Sequence, residues 1–123
     1  MDDIKILECR KCGNIVLELN ECECNNCLKC CDTLLEEVNT DNKEKINTHK
    51  PSYYRQDNKV IIRVNHEQMS DHYIKAIIIK TDNEVLVHKF SCEEDAELIM
   101  GYEQNMEVYS VCTKDGVYKT VIE

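Results

Sequence analysis

The stretch His66-Glu67-Gln68-Met69-Ser70-Asp71-His72-Tyr73-Ile74-Lys75-Ala76-Ile77-Ile78-Ile79 carries two signals at once. From Tyr73 onward it is rich in β-branched and aromatic residues, the composition of a strand. Before that, two imidazoles stand with five residues between them. Neutral imidazole is a common ligand of transition metals, so a strand and a candidate metal site meet at His72.

Working outward, similar β-rich runs recur at Val60–Val64, Glu84–Phe90, Met106–Val111 and Val117–Ile122. Polar turn clusters separate several of them: Gln56-Asp57-Asn58, Thr81-Asp82-Asn83 and Lys114-Asp115-Gly116. Short strands punctuated in this way predict a mainly β chain, with an antiparallel β-sandwich over residues 48–123. Tyr53-Tyr54 read as apolar area packed near the entry to the sandwich, the commoner use of aromatic side chains. Two further candidate ligands flank the central stretch. His49 precedes Lys50-Pro51, and Cys112 is followed three residues later by Asp115. Three imidazoles and a thiolate can hold one metal ion. Pro51 biases Lys50 toward an extended conformation, which suits entry into a strand beside His49.

The first quarter of the chain has another character. Of nine cysteines in 123 residues, seven lie at Cys9, Cys12, Cys22, Cys24, Cys27, Cys30 and Cys31, and only Cys92 and Cys112 lie beyond. A unit of about 40 residues has too little core to stand without metal or disulfides, and the cysteine gradient predicts a small metal-stapled module over residues 1–38. Cys9-Arg10-Lys11-Cys12-Gly13 has the form of a metal knuckle, in which two thiolates grip one ion and the glycine permits a tight turn. The second pair is either Cys30-Cys31 or, as in a zinc ribbon, Cys27-x-x-Cys30. Both give four thiolates, and zinc and iron both suit such a site. Cys22, Cys24 and Cys27 exceed what four-fold ligation needs and read as spare or redox-sensitive thiols, a ligand swap or an additional metal.

Residues 39–47 are polar and charged without apolar period and read as a linker. The formal charge of −9 opposes attraction to nucleic acid and would repel an anionic substrate, so any anion chemistry needs a locally positive centre such as a metal. No apolar run reaches the roughly 18 residues of a membrane span, and the acidic start Met1-Asp2-Asp3 is unlike a signal peptide. The expectation is a cytoplasmic protein without membrane or nucleic-acid partners. In a reducing compartment clustered cysteines are more often metal ligands than disulfides.

Taken in order, these motifs resemble those of desulfoferrodoxins, the two-iron superoxide reductases, over nearly the whole chain. Cys9-x-x-Cys12-Gly13 followed by Cys30-Cys31 is similar to the small desulforedoxin-like, rubredoxin-related iron module that opens the family. His49 ahead of its proline, His66-x5-His72-Tyr73-Ile74 and Cys112-x-x-Asp115-Gly116 resemble the segments holding the second iron. The resemblance implies an immunoglobulin-like sandwich and an enzyme that reduces superoxide to hydrogen peroxide. It also implies two non-haem irons, one held by Cys9, Cys12, Cys30 and Cys31 and one by His49, His66, His72 and Cys112. In that second set the imidazoles are equatorial and the thiolate axial, leaving one face open. An electron donor such as rubredoxin and a homodimeric assembly follow from the same resemblance. His88 matches no family position and reads as a surface histidine.

The departures are specific. Asp115 stands where the family has a fourth histidine; it can ligate through oxygen, but it is shorter, harder and anionic. The family's glutamate and lysine before the first histidine are Asn47-Thr48 here, which leaves Lys50 as the candidate catalytic cation, although neighbours on an extended strand point to opposite faces. The family's tryptophan after His-Tyr-Ile is absent, with Ala76 nearby. Two other readings use the same residues. One is a non-catalytic iron- or zinc-binding or electron-transfer protein with a degenerate second site, and the other is a zinc-ribbon adaptor with an acidic β-domain.

Overall fold

The computed structural model describes residues 4–19, 28–40 and 45–123, which fall in two compact units, Met1–Val38 and Asn39–Glu123. The first unit is built of short strands. β1 (Lys5–Glu8) pairs antiparallel with β2 (Ile15–Glu18); β3 (Lys29–Cys30) and β4 (Thr33–Leu34) form a two-residue hairpin; β5 (Glu36–Glu37) returns to pair with β1. Its core is correspondingly small. Leu7, Cys9 and Leu35 are buried, with Val16 and Cys30 packed against them. The β3–β4 turn consists of Cys31 and Asp32, both with positive φ (55° and 57°), the backbone of the tightly twisted hairpin turns that favour glycine or asparagine.

The second unit is a seven-stranded antiparallel sandwich. After one helical turn, α1 (Ile46–His49), the strands are β6 (Ser52–Gln56), β7 (Lys59–Arg63), β8 (Ile74–Lys80), β9 (Val85–Lys89), β10 (Glu97–Gly101), β11 (Met106–Cys112) and β12 (Gly116–Ile122). They form a three-stranded sheet ordered β10-β7-β6 and a four-stranded sheet ordered β12-β11-β8-β9. Alternation explains which residues face inward. Val60 and Ile62 of β7, with Val64 just beyond its end, point inward at every second position and meet Ile77 and Ile79 of β8, with Met106 and Val108 of β11, in one buried cluster. Each side chain so buried contributes about 1.5–3 kcal/mol of transfer free energy. This is the two-sheet, immunoglobulin-like arrangement that the resemblance implied.

Five of the seven strands coincide with the runs read from sequence. β10 carried no strand reading and β6 only the expectation of a strand entered after Lys50-Pro51, because both lie on the flanks of the smaller sheet and expose much of their surface. Tyr54 and Ile99 correspondingly point outward, 62% and 56% exposed, so the packing role expected for Tyr53-Tyr54 is not found; Tyr53 itself is 38% exposed. His49 also differs from expectation. It ends a helical turn instead of lying beside a strand, because Lys45 enters that turn with left-handed backbone (φ 57°) and the chain becomes extended only at Lys50. Among the described residues no helix is long and apolar enough to cross a membrane.

One buried polar contact fixes α1 on the sandwich. Ser110, fully buried on β11, donates its hydroxyl to the backbone carbonyl of His49. Ser110→Ala strands that carbonyl without a partner, so equilibrium denaturation should show a loss of about 1–3 kcal/mol. Ile99→Ala, on the outer face of β10, should stay within about 0.5 kcal/mol of the parent; a similar loss for both would contradict this assignment of inside and outside.

Candidate metal centres

The first centre is assembled by two turns. In the knuckle, Gly13 N–H donates to the Cys9 carbonyl at 2.8 Å, and Cys9 N–H donates to the Asn14 carbonyl at 2.9 Å. Gly13 has φ 79°, a backbone setting that any side chain would strain, which is why glycine follows the second cysteine. The left-handed turn at Cys31 brings its sulfur back beside that of Cys30, at 3.9 Å, and Cys12 Sγ lies 3.6 Å from Cys30 Sγ. All four sulfurs lie within 4.8 Å of one another. Sulfurs bound tetrahedrally at about 2.3 Å from one ion are spaced by about 3.8 Å, so the cluster has the span such an ion requires.

The protonation of these thiols shows the strain of four sulfurs sharing one place. Backbone N–H donation from Cys12 outweighs burial and lowers Cys9 to about 7. Hydrogen bonding with Cys12 and Cys9 instead pushes Cys30 up to about 12, and Cys31 is also raised. Without a cation, some of the four stay protonated; a bound divalent ion reverses that preference. Among the described residues, Cys30 and Cys31 lie with Cys9 and Cys12, while the zinc-ribbon alternative rests on Cys27. Cys22, Cys24 and Cys27 lie outside the described residues.

The second centre gathers residues from three parts of the second unit: His49 at the end of α1, His66 and His72 from the β7–β8 connection, and Cys112 and Asp115 from the β11–β12 hairpin. A register shift between Val111 and Cys112 in the pairing of β11 with β8 is a bulge, the local device that re-aims a side chain at a strand end. Gly116, at φ 92°, closes the hairpin and lets Asp115 return toward Cys112. The histidine loop is tied down by side chains. Gln68 Oε1 accepts from Ile74 N–H at 2.9 Å, while its Nε2 donates to the carbonyls of Ile74 and Glu94. Thr113 clamps the loop on the hairpin, its N–H donating to the Tyr73 carbonyl and its hydroxyl accepting from Tyr73 N–H.

Five ligand atoms converge. Asp115 Oδ2 lies 2.9 Å from His49 Nε2 and 2.7 Å from His72 Nε2, and His66 Nε2 lies 3.3 Å from His72 Nε2. Cys112 Sγ stands 3.8 Å from both His66 Nε2 and Asp115 Oδ2. Two atoms bound at right angles about 2.1 Å from one ion lie about 3.0 Å apart, which is the spacing of the nitrogen and oxygen atoms. The donor set fits a metal chemically as well. Nε2 lone pairs, a carboxylate oxygen and a sulfur crowd one spot, and an ion would satisfy all five together.

Electrostatics prepares them. Burial and the neighbouring charges of His49 and His72 lower the pKa of His66, which keeps it neutral. Burial opposes ionisation of Asp115, but hydrogen bonds from Lys45 and His72 outweigh it and hold the carboxyl at about 2. Cys112 is raised by burial, so a cation is needed to make it a thiolate near neutral pH. His49 is 3% exposed and Cys112 5%, whereas His72 is 28% exposed. Solvent therefore reaches the cluster from the His72 side.

His49 is oriented by groups that sequence reasoning missed. Its Nδ1 lies 3.1 Å from the Lys45 carbonyl and 2.8 Å from Thr48 Oγ1; a proton there leaves the Nε2 lone pair facing the cluster. Lys45 Nζ also reaches Asp115 Oδ1 at 3.1 Å. The Lys45–Asp115 pair had no sequence signal, because the two lie 70 residues apart. Lys50 is exposed at the end of α1, its N–H donating to the Ile46 carbonyl. His88 stacks on Phe90 away from the cluster, with ring centroids 4.7 Å apart.

Comparison with known proteins gives one kind of answer. No protein-family model matches the chain, and no curated protein matches it by sequence. Solved structures do match. The superoxide reductase from Treponema pallidum superposes with a TM-score of 0.74 over 96% of this chain and 97% of that one, at 16% identity. The superoxide reductase from Nanoarchaeum equitans gives 0.53 over 70% of this chain and 98% of that one, at 18% identity. The chain thus shares the fold of superoxide reductases.

Proposed function

We propose that this protein is a non-haem iron oxidoreductase that reduces superoxide to hydrogen peroxide at the His49, His66, His72, Cys112 and Asp115 centre. The observation that carries this reading is the convergence of three imidazole nitrogens, a carboxylate oxygen and a sulfur at one partly solvent-exposed point of the sandwich. The shared fold with superoxide reductases supports it. The Cys9, Cys12, Cys30 and Cys31 cluster would hold a second iron, or zinc.

Iron held by His49, His66, His72, Cys112 and Asp115 would supply one-electron reducing chemistry, with the Cys112 sulfur tuning its potential. The balance is one superoxide, one electron and two protons giving one hydrogen peroxide; an external one-electron donor restores the iron. The chain's residues do the rest. Burial keeps His66 neutral and therefore able to ligate, and the Lys45 carbonyl and Thr48 hydroxyl hold the proton of His49 at Nδ1. Burial of His49 and Cys112 closes one side of the centre, so superoxide approaches from the His72 side. Exposed Lys50, next to His49, is proposed to offset the net negative charge of the chain during that approach.

Anaerobically purified protein should contain two irons, or one iron and one zinc, and should yield peroxide without oxygen release when mixed with superoxide. Zinc alone, or a single iron confined to the four-cysteine site with no turnover, would favour the electron-transfer reading with a degenerate second centre. Asp115→His should preserve metal content and move the sulfur-to-iron charge-transfer band; an unchanged spectrum would place Asp115 outside the ligand set. Lys50→Gln should slow the second-order reaction with superoxide by a factor of roughly 2–10 at low salt. That difference should fade as ionic strength rises, and a salt-independent defect would argue against an attractive role.

A further inference from the structure

Asp115 poses a charge problem that the reading above leaves open. A carboxylate adds a negative charge to the centre that an imidazole in its place would not. With the Cys112 thiolate it would cancel a ferrous ion completely, weakening the positive field an anionic substrate needs. The structure offers one compensation. Lys45 Nζ sits 3.1 Å from Asp115 Oδ1, while Oδ2 of the same carboxylate faces His49 and His72 at 2.9 and 2.7 Å. The two oxygens are thus divided, one turned to a cation of the chain and one to the candidate ligand group.

Lys45 is fixed from both ends. Its left-handed backbone begins α1, and its carbonyl accepts from Thr48 N–H and lies 3.1 Å from His49 Nδ1. The same residue therefore touches two neighbouring candidate ligands, His49 through its main chain and Asp115 through its side chain. As an ion pair alone it would add little stability, since Lys45 is 57% exposed. Its effect lies in where the charge stands. Lys114, by contrast, pairs at 3.4 Å with Asp71, outside the ligand group.

Resting on the superoxide reductase reading, we infer that Lys45 and Asp115 act together as one charge-neutral, single-oxygen donor, replacing electrostatically the imidazole that Asp115 displaces. Lys45 is a positioning residue in this scheme. It occupies Oδ1, so that only Oδ2 is offered to the metal, and it returns the positive charge that the carboxylate removes.

The test is a cycle read by spectroelectrochemistry of the iron-loaded full chain. Lys45→Gln should lower the midpoint potential of the His/Cys centre, since losing a nearby positive charge favours ferric iron, and should move the sulfur-to-iron band to higher energy. Lys45→Arg should keep both near the parent, and Lys114→Gln should change neither. The decisive arm combines Lys45→Gln with Asp115→His. Without the carboxylate nothing holds the exposed Lys45 ammonium beside the centre, so in that background the glutamine should shift potential and band far less. Equal shifts in both backgrounds, or none in either, would overturn the inference. If Lys45→Gln instead loses iron, recovery in the Asp115→His background supports the pairing, and continued loss overturns it by assigning Lys45 a purely structural role. A parent protein whose His/Cys centre gives no sulfur-to-iron band, distinct from that of the four-cysteine site, defeats the functional reading itself, whereas a parent with that band that ignores Lys45→Gln defeats this inference alone.

Discussion

The register of β8 against β11 is the constraint on which the second unit depends. Val108 faces Ile79, Ser110 faces Ile77, and after the bulge Cys112 faces Ile74. Burial enforces that pairing, because a slip of one residue would turn Met106, Val108 and Ser110 out of the sandwich. The same pairing delivers three chemical consequences. It puts the Ser110 hydroxyl under the His49 carbonyl, turns Cys112 toward the imidazoles, and starts the hairpin that returns Asp115. An apolar core thus specifies the position of a polar cluster that meets it at Cys112.

The second centre is a division of labour between rigid and pliant parts. Cys112 rides on a central strand, while the histidines come from a helical turn and a long connection. What makes those loops definite is side-chain bonding to backbone by Gln68, Thr113 and Thr48, which gives polar main chain partners where no strand is available.

Much of this was legible in the sequence, for identifiable reasons. The central strands repeat apolar residues that only burial explains, and the ligand residues are chemically rare enough that their order carries information. Flanking strands β6 and β10 were largely hidden because their residues alternate weakly and face solvent on one side. The strand reading around His49 failed because Lys50-Pro51 reports only the residue before proline; nothing local announced a left-handed Lys45. The roles of Lys45, Ser110 and Gln68 were invisible for a different reason. Each acts across a sequence gap through a single common side chain, and only the folded backbone brings the partners together.

The β3–β4 turn of the first unit has a consequence of its own. Cys31 and Asp32 both hold left-handed backbone without being glycine, a setting that costs of order 1–3 kcal/mol per residue unless the surroundings impose it. Among the described residues the apolar cluster of this unit is thin: Leu7, Cys9 and Leu35, with Val16 and Cys30 against them. A hairpin that persists in that setting leans on whatever its cysteines hold. An ion held by the four thiols would do for this hairpin what packing does for the sandwich, and its architecture would then depend on metal supply.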